Sequence, residues 1–266
     1  MKRLMTGIVV MCLSTLSVAA VKTETVEYKQ GDTTLKGFLA YDDAGSAKGP
    51  GVLVVPEWWG LNDYVKGRAK QLADLGYVAF VADMYGDGKT TTDANKAKEW
   101  SGPFYSNRQL FRDRGMAALD QLKKQANVDA SKLAAMGYCF GGTTALELAR
   151  GGAPLLGVVT FHGGLSNPTP DDAKNIKGKV LVLTGADDPM IKAAERDAFE
   201  KEMNDAKVNY ELDIYCGAKH AFTNPDADKF GIPGIAYNKQ ADQRSFARMK
   251  SFFDEIFGSR STNRHE

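Results

Sequence analysis

Lys132-Leu133-Ala134-Ala135-Met136-Gly137-Tyr138-Cys139-Phe140-Gly141-Gly142 is the stretch on which the fold reading turns. Its first half is a short apolar run, predicted as a strand. Thr143-Thr144-Ala145-Leu146-Glu147-Leu148-Ala149 follows and reads as helix. A strand, a sharp Gly-x-Cys-x-Gly turn and a helix make a nucleophile elbow, with cysteine where serine is usual. The glycines are needed because the nucleophile of such a turn sits in a strained backbone conformation and its neighbours are crowded. The turn lifts the sulfur above the sheet, at the positive end of the new helix, where negative charge is favoured. The competing reading is a glycine-rich turn that carries a buried structural cysteine.

Working outward from the elbow, residues 51–55, 77–82, 157–161 and 180–184 are continuous apolar runs, as expected of strands buried on both faces. Helices are predicted over 64–75, 94–100, 108–125, 191–205 and 240–257, with 101–107 as a loop. Residues 25–28 and 35–41 alternate apolar and polar around Gln30-Gly31-Asp32, an N-terminal hairpin on a sheet edge. Residues 208–215 form a late alternating strand. Strand–helix alternation implies an α/β fold, a mostly parallel central sheet with helices on both faces, and places the active site at the carboxyl ends of the strands.

The chain has 266 residues, 43% hydrophobic and 25% charged, enough for one large α/β domain over residues 21–258. A formal charge of +1 gives no reason to expect nucleic acid as a partner. Lys2 and Arg3, an apolar run over 4–16 and the small residues Ser17-Val18-Ala19-Ala20 read as a secretory signal peptide over 1–20, cleaved after Ala19 or Ala20. The expected address is periplasmic or secreted, with no membrane attachment after cleavage. Residues 259–266 are a polar, frayed tail. Cys12 leaves with the leader, so Cys139 and Cys216 remain, and a disulfide between them stays open.

Four segments follow strands: Pro56-Glu57-Trp58-Trp59-Gly60, the elbow, Gly185-Ala186-Asp187-Asp188-Pro189 and Gly217-Ala218-Lys219-His220-Ala221-Phe222. Nucleophile, acid and histidine come in the chain order of the α/β-hydrolase fold. A carboxylate on one imidazole nitrogen fixes the tautomer, and the other nitrogen can then move the nucleophile's proton. Cys139, Asp188 and His220 are the candidates. Asp187 is the rival acid; Asp188 is preferred because a proline after it can start the next helix, although Asp188 could simply cap that helix. His220 could also be a surface-loop residue. His162, in Phe161-His162-Gly163-Gly164, either lines the pocket or satisfies a backbone carbonyl. The histidines and cysteines show no metal-ligand spacing, and no metal or cofactor is expected.

Together these segments, with Asp83-Met84-Tyr85, resemble the dienelactone hydrolase family, whose elbow is Gly-x-Cys-x-Gly-Gly. The likeness runs from about Val26 to Phe257. It implies an α/β-hydrolase fold and hydrolysis of a small-molecule ester or lactone. It implies that Glu57 contacts the thiol and takes part in its activation. It also implies an oxyanion hole from the backbone N–H groups of Phe140 and Trp58. A carboxylate between Trp58 and Trp59 would have a raised pKa and could exchange a proton with sulfur. Two arginines that hold the substrate carboxylate in the family's type enzyme are replaced here by Asp87 and Asn224, so a neutral ester is the expected substrate. Trp58, Trp59, Tyr85, Trp100, Phe104, Tyr105 and Phe222 suggest an aromatic pocket, with core packing as the alternative for each. Trp59, Tyr85, His162 and Phe222 are the candidate substrate contacts. The other functional readings are a catalytically weak binding or scaffold protein on the same fold, and a thiol redox protein using Cys139 and Cys216. Oligomeric state is not legible in the chain.

Overall fold

The structure, a computed structural model, describes residues 20–43 and 48–258. The predicted leader, Cys12, His265 and the polar tail lie outside the described residues. The elements run β1 (Val21–Gln30), β2 (Thr33–Asp42), β3 (Gly49–Val55), α1 (Asp63–Asp74), β4 (Val78–Val81), α2 (Ala94–Ser106), α3 (Arg108–Lys123) and β5 (Val128–Tyr138). They continue with α4 (Phe140–Arg150), β6 (Gly157–Phe161), β7 (Lys179–Gly185), α5 (Ala193–Asp205), β8 (Tyr210–Tyr215) and α6 (Lys239–Phe257).

The sheet has the order β1-β2-β4-β3-β5-β6-β7-β8. β1 pairs antiparallel with β2, and β2 with β4; every pairing from β4 to β8 is parallel. This is the α/β-hydrolase arrangement, with the hairpin at one edge as its alternation implies. Side chains of a strand point alternately to the two faces. Val52 and Val54 of β3 therefore join one core with Val65, Ala69 and Leu72 of α1 and Met249, Phe252 and Phe253 of α6. Leu53 and Val55 join the other, with Phe111, Ala118 and Leu122 of α3 and Ala145, Leu146 and Leu148 of α4. Burying both faces of the sheet explains why the middle strands carry unbroken apolar runs. Among the described residues no helix is long and apolar enough to cross a membrane.

Two local expectations are corrected. Residues 101–106 are helical rather than a loop, because α2 continues through Pro103. The residue before a proline is pushed out of the helical region largely by its Cβ, and here that residue is Gly102. Phe104 rewards the extra turn by packing against Phe140 and Phe111, at ring separations of 5.1 and 5.3 Å. Second, α5 begins at Ala193, so Pro189 does not start it. Residues 188–192 form an irregular turn instead, organised by Asp188.

Candidate active site

The elbow is held by contact as much as by torsion. Cys139 has φ +53° and ψ −116°, a left-handed conformation that strains a residue with a side chain. A Cβ on Gly137 would lie 2.0 Å from the Gly141 carbonyl oxygen, and one on Gly141 would lie 2.2 Å from that of Val55. The start of α4 thus sits directly on the end of β3, a distance only glycine permits. The Cys139 N–H is shared between the Phe161 carbonyl at 2.9 Å and His162 Nδ1 at 3.1 Å.

The acid comes from the turn after β7. Asp188 is buried and Asp187 exposed. One oxygen of Asp188 accepts the backbone N–H groups of Met190 and Ile191, at 2.8 and 3.3 Å. The other bonds His220 Nδ1 at 2.8 Å. Asp188 therefore caps the 188–192 turn and not α5, whose N-cap is Lys192, and its other oxygen holds the histidine. His220 lies on the segment after β8, pinned by backbone bonds from its N–H to Gly234 and from Ala236 N–H to its carbonyl, both 3.1 Å. Its Nε2 is buried and forms no hydrogen bond of regular geometry. Burial alone would depress the pKa of this imidazole; the adjacent Cys139 and the bonded Asp188 carboxylate outweigh it and raise the pKa to about 10. Cys139 and His220 are thus neighbours that interact through both charge and a hydrogen-bonding contact, though outside regular hydrogen-bond geometry.

Glu57 stands beside them at the end of β3, 3% exposed. Burial raises its pKa to about 7, opposed by a hydrogen bond from Asn224 Nδ2 at 2.7 Å and by His220 and Arg68. Glu57, Cys139 and His220 open on one cavity of about 520 Å³. Trp58 and Trp59 wall it near the thiol, Ser101 and Tyr105 on the α2 side, and Met190 and Ile191 on the α5 side.

Trp59 is therefore at the cavity, where it also stacks on Phe230 at 4.2 Å. Tyr85, His162 and Phe222 are not among the lining residues, which corrects the expectation that they contact substrate. Tyr85 packs behind the wall on Phe140 and donates its hydroxyl to the Trp58 carbonyl at 3.0 Å. Phe222 is fully buried between His162 and Tyr215. His162 is fully buried too, and it accepts a backbone N–H rather than serving a carbonyl. Burial, with His220 and Arg68 nearby, holds its pKa well below the usual histidine range. Trp100 and Phe104 pack on Tyr85 outside the lining.

Asp87 is 61% exposed and pairs with Lys36 at 3.6 Å, away from the cavity. Asn224 is buried and spends its amide on Glu57. That role was not read from the chain, nor was that of Thr223 beside it; their nearness to His220 in sequence is the one signal that pointed there. Cys139 is half-buried and Cys216 exposed, and both thiols are free. Among the described residues no cluster of histidine, cysteine and carboxylate side chains could hold a metal ion.

Comparison with known proteins follows from this geometry. Residues 35–257 match the model of the dienelactone hydrolase family. A protein of Saccharolobus solfataricus named "Putative carboxymethylenebutenolidase" is 30% identical over 86% of this chain and 97% of its own. A Bradyrhizobium protein named "Probable 2-oxo-3-(5-oxofuran-2-ylidene)propanoate lactonase" is 33% identical over 65% of this chain and 73% of its own. Among solved structures, a dienelactone hydrolase-like promiscuous phosphotriesterase from metagenomic libraries is 44% identical, with a TM-score of 0.87 over 89% of this chain and 99% of that one.

Proposed function

The chain belongs to the dienelactone hydrolase family, and from that premise we propose that it hydrolyses small neutral carboxylic esters or lactones through Cys139, His220 and Asp188. The observation that carries the reading is the His220 imidazole, fixed by Asp188 through Nδ1, beside the elbow cysteine in one cavity. The thiol gives its proton to His220 Nε2, directly or by way of Glu57. The sulfur then attacks the substrate carbonyl carbon, and the carbonyl π electrons move to oxygen. The backbone N–H groups of Phe140 and Trp58 are the proposed donors to that oxyanion. On collapse the alkoxide leaves with a proton from His220 Nε2, and a thioester remains on Cys139. Water attacks the thioester while His220 takes its proton, which releases the acid and restores the thiol.

Neutral substrates are favoured by the charges at the site. No arginine is among the described lining residues; the wall has one lysine, Lys98, on the exposed side of α2, against Glu57 and Glu195. An anion entering here would meet carboxylates before it met a forked cation. The metagenomic relative is described as a phosphotriesterase, and a phosphotriester is also a neutral ester, so it is the second substrate class to test. Export rests on the pattern of residues 1–20 alone, and N-terminal sequencing of the mature protein checks it.

The deciding experiment measures turnover of p-nitrophenyl acetate, a neutral phosphotriester and a carboxylate-bearing lactone by wild type and Cys139→Ala. Turnover of neutral esters that vanishes in the variant is expected. Equal rates in the two proteins would sink the triad. A preference for the anionic lactone would overturn the substrate class alone.

A further inference from the structure

His162 has no part in the reaction above, yet none of it reaches solvent. Its backbone is left-handed, with φ +43°, which costs energy in a residue with a Cβ. A buried, strained imidazole is explained by the bonds it makes. Nδ1 accepts the Cys139 N–H at 3.1 Å, so the proton of the neutral ring is on Nε2. Nε2 donates to Thr223 Oγ1 at 2.8 Å. Thr223 lies three residues after His220 and is itself fully buried. Its hydroxyl shares a 2.6 Å hydrogen bond with Tyr64 Oη, and its carbonyl accepts from Arg68 Nη2 at 2.6 Å. The His162 ring also stands edge-on to the His220 ring, centroids 5.2 Å apart.

Topology shows why such a link matters. The elbow ends β5 and the histidine segment follows β8, with β6 and β7 between them. Each strand spacing is about 4.8 Å, and slack in a twisted sheet accumulates over three of them. The partner of His220 Nε2 at the sulfur end is the Cys139 thiol itself, a contact outside regular hydrogen-bond geometry, so that slack has to be taken up elsewhere.

We propose that His162 is a positioning residue: one neutral imidazole ties the nucleophile elbow to the histidine segment through Thr223 and so sets the separation of Cys139 Sγ from His220 Nε2. The inference rests on Cys139 and His220 being the reacting pair. Protonation would place a second N–H against the Cys139 N–H and break the tie. The titratable groups that act on the ring are His220 after β8, Arg68 on α1 and Tyr138 on β5; behind them, Tyr64 bonds Thr223, Asp242 on α6 pairs with Arg68, and Glu57 lies near His220 and Arg68. The cation Arg68 and a protonated His220 disfavour a further positive charge, and burial adds to that.

The test uses Thr223→Val, which keeps the shape and removes the hydroxyl, with Thr223→Ser as the rescue, and His162→Phe with His162→Asn, whose amide oxygen can replace Nδ1. Two quantities are read on protein of native circular dichroism. They are kcat and KM for the neutral ester, and the pH midpoint of Cys139 alkylation by iodoacetamide, which needs no substrate. We expect Thr223→Val and His162→Phe to lower kcat by about tenfold with KM within about twofold. The alkylation midpoint should move up by about half a pH unit as the imidazolium drifts from the sulfur, and Thr223→Ser and His162→Asn should restore much of both. A wild-type kcat and alkylation profile in folded Thr223→Val overturns the proposal, even if His162→Phe does not fold. Absence of ester turnover in wild type with the alkylation shift intact would instead count against the hydrolase reading and leave the tie standing.

Discussion

The two ends of α4 solve opposite problems. At the amino end, Cys139 is strained, His220 Nε2 is buried outside regular hydrogen-bond geometry, and Glu57 has a neutral amide as its hydrogen-bond partner, with His220 and Arg68 acting on it only at a distance. At the carboxyl end, Arg150 is fully buried and fully engaged. It holds Glu202 with two bonds of 3.0 and 2.7 Å, the Leu165 carbonyl at 2.8 Å and Glu147 at 3.4 Å. Glu147 in turn takes Arg112 from α3 at 3.0 Å. The helix dipole suits both arrangements, favouring an anion where the helix starts and the arginine where it stops. The difference teaches that burial and charge do not mark a functional site by themselves. Incomplete satisfaction does so only where the group opens on a cavity, as His220 does; Arg114, Thr160 and Thr184 also bury unpartnered atoms, but away from it.

The sharpest way to break this contrast is to change both ends and measure both activity and stability. Cys139→Ala should cost about 10⁴-fold or more in kcat/KM and move the urea unfolding midpoint only slightly, since the half-buried thiol packs at the edge of the core. Asp188→Asn should follow with a loss of about 10³-fold, because the imidazole is then held in the wrong tautomer. Arg150→Met should do the reverse. It leaves Glu202 buried without its cation, while Glu147 keeps Arg112, and equilibrium unfolding should report a loss of about 3–5 kcal/mol, while kcat per folded molecule stays within about threefold. A catalytic collapse in folded Arg150→Met would erase the distinction between the two ends.

Glu57 sharpens the comparison by titration. Its folded pKa of about 7 lies above the ordinary 4.5, so the folded protein holds that proton more tightly than the unfolded chain. The contribution to stability is complete below about 4.5 and is lost as pH rises through about 7. Urea unfolding across that window should fall less steeply with pH in Glu57→Gln than in wild type. The smallest effect is expected at the rim, where Lys98→Ala should change neutral-ester kcat/KM by less than about twofold. A large loss there would mean the cavity receives anions.

Much of this was legible in the chain because it is local. The elbow shows itself through three glycines and a cysteine in six residues, and β3, β6 and β7 through unbroken apolar runs. The placing of Cys139, Asp188 and His220 at one end of the sheet follows from each segment's position after a strand. What escaped depends on tertiary contact. Aromatic type could not tell Trp59, at the cavity, from Tyr85 and Phe222, turned behind it. Pro103 read as a break because its cost is local, whereas the packing of Phe104 that outweighs it comes from α3 and α4. The His162–Thr223 tie joins residues 61 apart, and no spacing rule connects them. Glu147 and Arg150 lie three apart on α4, a spacing that says nothing of their complete burial.

The contact of Gly141 with the end of β3 has a consequence for how this scaffold could diversify. The main-chain segments that carry Glu57 and Cys139 to the cavity touch each other there, with no side chain between them to trim or enlarge. Variation in diet must therefore come from the walls that face each other across it, at positions such as Ser101, Tyr105 and Met190. New specificities can be sampled there by exchange of single residues while the chemical step below is inherited intact.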